Sequence, residues 1–188
     1  MKSQPVLRMT ASAMFIAIGI IIPLFSPAKI FIPPAASYTL ASHVPIFLAM
    51  MISPWMGVAV AIGTTIGFFF STPVIVALRA ASHLVFVLIG GFYIQKRPKL
   101  LESPVKVRVY SFLIAILHAV CEVAVVSLFF FGGSMGELIY EQGFFYYVIL
   151  LVGIGSAVHS MADFEIALFL NRVLSRQRGF AALKARKD

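Results

Sequence analysis

The basic residues of this chain are confined to a few short segments, and the stretches between those segments are almost free of charge. Of the 15 Lys and Arg residues, 13 fall in three groups: Lys2 and Arg8; Lys96, Arg97, Lys99, Lys106 and Arg108; and Arg172, Arg176, Arg178, Lys184, Arg186 and Lys187. Only Lys29 and Arg79 lie elsewhere. Even numbers of apolar spans separate the groups. Cytoplasmic loops of membrane proteins carry an excess of Lys and Arg, so this pattern predicts an integral membrane protein with both termini in the cytoplasm. With 12% charged residues against about 25% in soluble domains, and a mean hydropathy of +0.99, a soluble fold is excluded. The net charge of +8 does not indicate nucleic-acid binding, because the cations sit at the ends of apolar spans and not on one polar face.

A spanning helix needs about 20 apolar residues. The first candidate runs from Met9 to Phe25, and Lys2 and Arg8 before it suit an uncleaved helix better than a signal peptide, since no A-x-A-like site follows. Ser26 to Thr39 contains Pro27, Pro33 and Pro34, which stop a helix. This long outer loop is apolar at Ile30, Phe31 and Ile32, and is expected to fold back over the bundle. A short second span covers Leu40 to Ile52, a third Trp55 to Phe70, and a fourth Val74 to Gln95. After the polar inner loop Lys96 to Arg108, a fifth span runs from Val109 to Phe131. The outer loop Gly132 to Gly143 precedes a sixth, Phe144 to Leu170. The expectation is an all-α six-helix transmembrane bundle formed by residues 1–188 as one domain. Cys121, the single cysteine, lies within a span and reads as a small core residue.

The chain has no G-x-x-x-x-G-K-[ST] loop, so any ATP hydrolysis coupled to its work falls to another subunit. Gly132-Gly133-Ser134-Met135-Gly136 matches G-x-S-x-G formally. It lies between two apolar helices, without the strand-turn-helix setting of a nucleophile elbow. His43, His83, His118 and His159 lie on four different predicted helices and carry no metal-site spacing, so no metal is assigned. Gly63 with Gly67 and Ala13 with Ala17 are small residues four apart, a spacing that lets helices approach closely in lipid.

Ionisable residues inside a membrane are costly and mark functional sites. At about 1.5 Å per residue, Arg79, His83 and Glu122 come to similar heights in the outer half. Arg79 and His83 share one helical face, as do His118 and Glu122. Arg79 either neutralises Glu122 or offers its planar fork to a ligand carboxylate, with Glu122 or His83 meeting another ligand group. His118 and His159 read as helix–helix hydrogen-bonding residues, and Asp163 and Glu165 as nearer the inner end. His43 is placed near the outer end of the second helix, beside the hydroxyls of Ser37, Tyr38 and Thr39.

Three features together resemble the S components of energy-coupling factor (ECF) vitamin transporters. They are the six-helix plan, the first-helix run Ala13-Met14-Phe15-Ile16-Ala17 and the long first loop. The stretches Pro34-Ala35-Ala36-Ser37-Tyr38-Thr39-Leu40-Ala41-Ser42-His43-Val44-Pro45 and Val76-Ala77-Leu78-Arg79-Ala80-Ala81-Ser82-His83 are most similar to the niacin-type branch, with pantothenate and hydroxymethylpyrimidine types as neighbours. The resemblance implies a non-enzymatic, multi-pass protein of a prokaryotic cell membrane that captures one water-soluble vitamin outside. It implies docking through Ala13 and Ala17 to a transmembrane T component, two cytoplasmic ATPases that hydrolyse the ATP, no cofactor of its own, and delivery by toppling in the bilayer. The expected binding residues are Arg79, His83, Glu122, His43, Ser37, Tyr38 and Thr39. The rival reading is a self-contained secondary transporter or channel, against which stands the lack of inverted repeats.

Overall fold

The computed structural model describes residues 4–32 and 36–184, so Lys2, Pro33, Pro34, Ala35, Arg186 and Lys187 lie outside the described residues. Among the described residues, five helices are long and apolar enough to cross a membrane: α1 (Gln4–Phe25), α3 (Pro54–Ser71), α4 (Val74–Lys96), α5 (Pro104–Phe131) and a continuous segment Phe145–Leu174. The first ten residues of that last segment, Phe145–Ile154, are wound as a π-helix, and α7 (Gly155–Leu174) continues it. Short helices α6 (Glu137–Gln142) and α8 (Arg178–Lys184) flank it.

The expected second span differs most from its sequence reading. Helix α2 covers only Val44–Ile52, about 14 Å of rise, under half of a roughly 30 Å hydrocarbon core. Eight of its nine residues are buried, so it lies inside the bundle and does not face lipid. The chain reaches it through a two-stranded hairpin, β1 (Lys29–Ile32) paired antiparallel with β2 (Ala36–Thr39), in the register Lys29↔Thr39 and Ile30↔Tyr38. The described flanks of the long first loop therefore pair as strands. Its last turn then descends into the bundle to start α2.

Pro45 in its first turn and the Ser53-Pro54 break after its last residue set the length of α2. Between those limits Phe47 and Met50 are almost fully buried. The Phe47 ring lies 5.4 Å from Phe86 of α4 and 5.2 Å from Phe164 of α7. These three rings fill the middle of the molecule.

Gly63 and Gly67 close the α1–α3 seam within the chain. A Cβ on Gly63 would collide with the Ile16 side chain, and one on Gly67 with Ile20. Ala13 and Ala17 are on another face of α1 and are exposed. Near the start of α1, Gln4 Nε2 donates to the Ala182 carbonyl at 2.8 Å and Arg8 Nε to that of Leu183 at 3.0 Å. Helices α1 and α8 thus meet. Arg8, the Pro98–Pro104 connection, Arg172 and Lys184 border one cavity at that end, which draws the three basic segments of the sequence together.

Candidate functional site

At the opposite end of α2 lies a second cavity, of about 120 Å³. Its walls include Tyr38 and Thr39 from β2, Ser42 and His43 from the descending turn, Arg79 and His83 from α4, His118 and Glu122 from α5, and Ser156 and His159 from α7. Gly19, Thr64 and Phe68 join it from α1 and α3, and Pro45 and Ile46 from α2. Of the predicted binding residues, Arg79, His83, Glu122, His43, Tyr38 and Thr39 come together here. Ser37 pairs with Phe31 in the hairpin, and its side chain is outside the described residues.

Two carboxylates organise the polar wall. Glu122 is buried. Its Oε2 accepts from Arg79 Nη2 at 2.6 Å and from Ser156 Oγ at 2.6 Å. Its Oε1 lies 3.4 Å from His118 Nε2 and 3.5 Å from His83 Nε2, close enough for attraction but not aligned as a hydrogen bond. Arg79 therefore spends only part of its fork on Glu122, and its buried Nε has no hydrogen-bond partner among the described residues.

Asp163 is the second organiser, and the sequence reading placed it too far from the site. Its Oδ1 accepts from Ala41 N–H at 2.7 Å and its Oδ2 from His43 N–H at 2.8 Å. Oδ2 also lies 3.2 Å from His43 Nδ1 and 3.4 Å from His159 Nε2. A carboxylate at a helix start satisfies amides that have no partner within the helix and complements the helix dipole. It also holds Ala41 at φ +68°, the one left-handed non-glycine among the described residues. Counting residues along a straight sixth helix set Asp163 near the inner end. In fact α2 begins deep in the bundle and so brings the turn down to Asp163. For the same reason His43 is not near the outer surface. Its ring centroid is 4.8 Å from those of both His83 and His118 and 5.0 Å from that of His159.

His118, His159, Ser42 and Ser156 were not expected to join the site. His118 stands four residues before Glu122 and Ser156 three before His159, so spacing puts each pair on one helical face, but only tertiary packing brings the two faces and the Ser42 turn together. Tyr38 covers the cluster from the hairpin, its ring 5.6 Å from that of His159. Its hydroxyl donates to the Leu151 carbonyl in the π-helical stretch, and Gly155 has no Cβ to obstruct the ring. Burial pushes the Tyr38 hydroxyl up to about 12, so it stays a donor at neutral pH. Ser134 of the G-x-S-x-G match is exposed on the far loop and is not among the cavity residues.

Spanning helices around a small polar cavity define a multi-pass membrane protein with an internal pocket. The chain is 42% identical over 176 residues to the niacin transporter NiaX of Lactococcus lactis subsp. cremoris (strain MG1363), an alignment covering 93% of this chain and 78% of that protein. No family model and no solved structure matches it. The chain belongs to the niacin-type S components of ECF transporters.

Proposed function

We propose that this protein captures nicotinate from outside the cell and delivers it through an ECF complex in a prokaryotic plasma membrane. The observation that carries the reading is Arg79, a buried guanidinium with a free Nε at the wall of a cavity about the size of one ring. A cavity of about 150 Å³ holds one benzene, so 120 Å³ suits a monocyclic ligand better than the extended pantothenate chain. The carboxylate takes the open side of Arg79, while Glu122 holds the other side of the fork and keeps it aimed. His83, His43, Tyr38 and Thr39 surround the ring.

The aromatic plug of Phe47, Phe86 and Phe164 separates this cavity from the one at the basic end. That separation favours a binding protein over a channel. In the full assembly the exposed Ala13 and Ala17 face is the docking surface for the T component, and two ATPases supply the energy for toppling. The basic end lies in the cytoplasm, in keeping with the charge distribution. Half-length α2 serves as the sixth element of the S-component bundle.

Calorimetry on the purified chain, first depleted of co-purified ligand, tests the reading with nicotinate, nicotinamide, pantothenate, pyridoxine and hydroxymethylpyrimidine. Nicotinate is expected to bind tightly, and Arg79→Ala to weaken it by at least about 30-fold, in line with about 2–5 kcal/mol for losing one partner of a buried charged pair. Unchanged affinity in a monodisperse Arg79→Ala protein overturns the carboxylate role. Trp55 is a poor reporter, because it packs against Phe92 and neighbours Pro54, which lines the other cavity.

A further inference from the structure

We propose that His43, His83 and His118 form a three-imidazole site for a divalent transition metal, whose open coordination position faces the cavity. Each of the three rings offers a nitrogen, and these nitrogens all lie within 4.8 Å of one another. Tetrahedral zinc at about 2.0–2.1 Å from imidazole places ligand nitrogens about 3.4 Å apart. The rings therefore close by about 1.4 Å at most on loading, a movement within reach of side-chain rotation.

Unmet hydrogen-bonding capacity singles out two of the three rings, His83 and His118. Both nitrogens of His118 and Nε2 of His83 are buried without a hydrogen-bond partner among the described residues. Buried polar groups are rarely left so, and an orphaned group points to a missing ion or water. The neighbouring set His43, His159 and Asp163 also has suitable spacing, but its groups are already engaged. Ser42 Oγ lies 3.0 Å from His159 Nε2, and Asp163 takes two backbone N–H groups.

His43 has the arrangement common to metal-binding histidines, in which one ring nitrogen meets a carboxylate and the other is left for the metal. Here Asp163 Oδ2 sits 3.2 Å from Nδ1, which leaves Nε2. Charge agrees as well. The ionised groups touching the cluster among the described residues are Arg79, Glu122 and Asp163, one positive and two negative. A divalent cation together with one ligand carboxylate brings the site to neutrality, which matters where charge is poorly solvated. Imidazole donors suit zinc, nickel and copper. A heteroaromatic ring nitrogen completes the open position, and this second half rests on the vitamin reading above.

The test uses the full chain without a histidine tag, stripped with chelator and titrated with Co²⁺. One Co²⁺ per chain with the strong visible absorption of a four-coordinate site, displaced by Zn²⁺, is expected. His118→Gln and His83→Gln should each weaken uptake by at least 10-fold while remaining monodisperse. Nicotinate should then shift the Co²⁺ spectrum, and benzoate, which lacks the ring nitrogen, should leave it unchanged. No uptake of Co²⁺ or Zn²⁺ at micromolar concentration, or uptake indifferent to both substitutions, overturns the site. Nicotinate binding seen by calorimetry without a spectral shift overturns the open position. If nicotinate does not bind at all, the vitamin reading fails, and the Co²⁺ titration decides the metal site by itself.

Discussion

Helices α1 and α2 are both strongly apolar, yet they are used in opposite ways. Only 11% of the apolar window of α1 is buried, whereas α2 is buried along eight of its nine residues. Both are neighbours of the cavity, α1 through Gly19 and α2 through Pro45 and Ile46. Hydropathy records that a segment avoids water, but not whether lipid, a partner or the protein's own core receives it. Length separates the two here. A helix that cannot span must be covered by the protein, and α2 then becomes the fixed post on which His43 and the plug ring Phe47 stand.

Substitutions can break this contrast. Phe47→Ala on α2 should cost about 3–5 kcal/mol, the range for emptying a buried aromatic site, measured by thermal unfolding in detergent. Met14→Ala on α1, where the side chain is 60% exposed, should stay within about 0.5 kcal/mol. Equal losses would show that α1 is packed in the isolated protein after all. Gly67→Leu forces a side chain against Ile20 and should cost about 1–3 kcal/mol by overpacking. It should loosen α1 while α2 stays packed, and nicotinate affinity should fall less than in Arg79→Ala, because α1 reaches the cavity only through Gly19 and Pro23. The smallest effect on the isolated chain is expected from Ala13→Trp, with unchanged stability and unchanged nicotinate binding by calorimetry. The same variant should fail to co-purify with a T component, and intact transport by it would refute the docking role.

The pairing of Arg79 with Glu122 was legible in the sequence, because ionisable residues in apolar spans are few and residue counting put these two at one height. The five long helices were legible for the same reason: length and hydropathy suffice for a segment that crosses alone. The half-length of α2 was hidden, since the Leu40–Ile52 run shows no sign of how deep it begins. That one unknown displaced both His43 and Asp163. The convergence of four histidines is a consequence of the same depth, and no spacing rule within a single helix could reveal it. The π-helical winding of Phe145–Ile154 also leaves no mark in the apolar pattern.

The bond from Tyr38 to the Leu151 carbonyl bears on time as well as affinity. The hairpin covers the cavity, and this hydroxyl is the polar attachment by which Tyr38 holds it to the far wall. Removing it in Tyr38→Phe keeps the ring over His159 but releases the cover. On and off rates for the vitamin should both rise, so that equilibrium affinity changes less than residence time. Stopped-flow binding of nicotinate to the Tyr38→Phe protein checks this, with a shorter residence time and a nearly unchanged equilibrium affinity as the expected outcome.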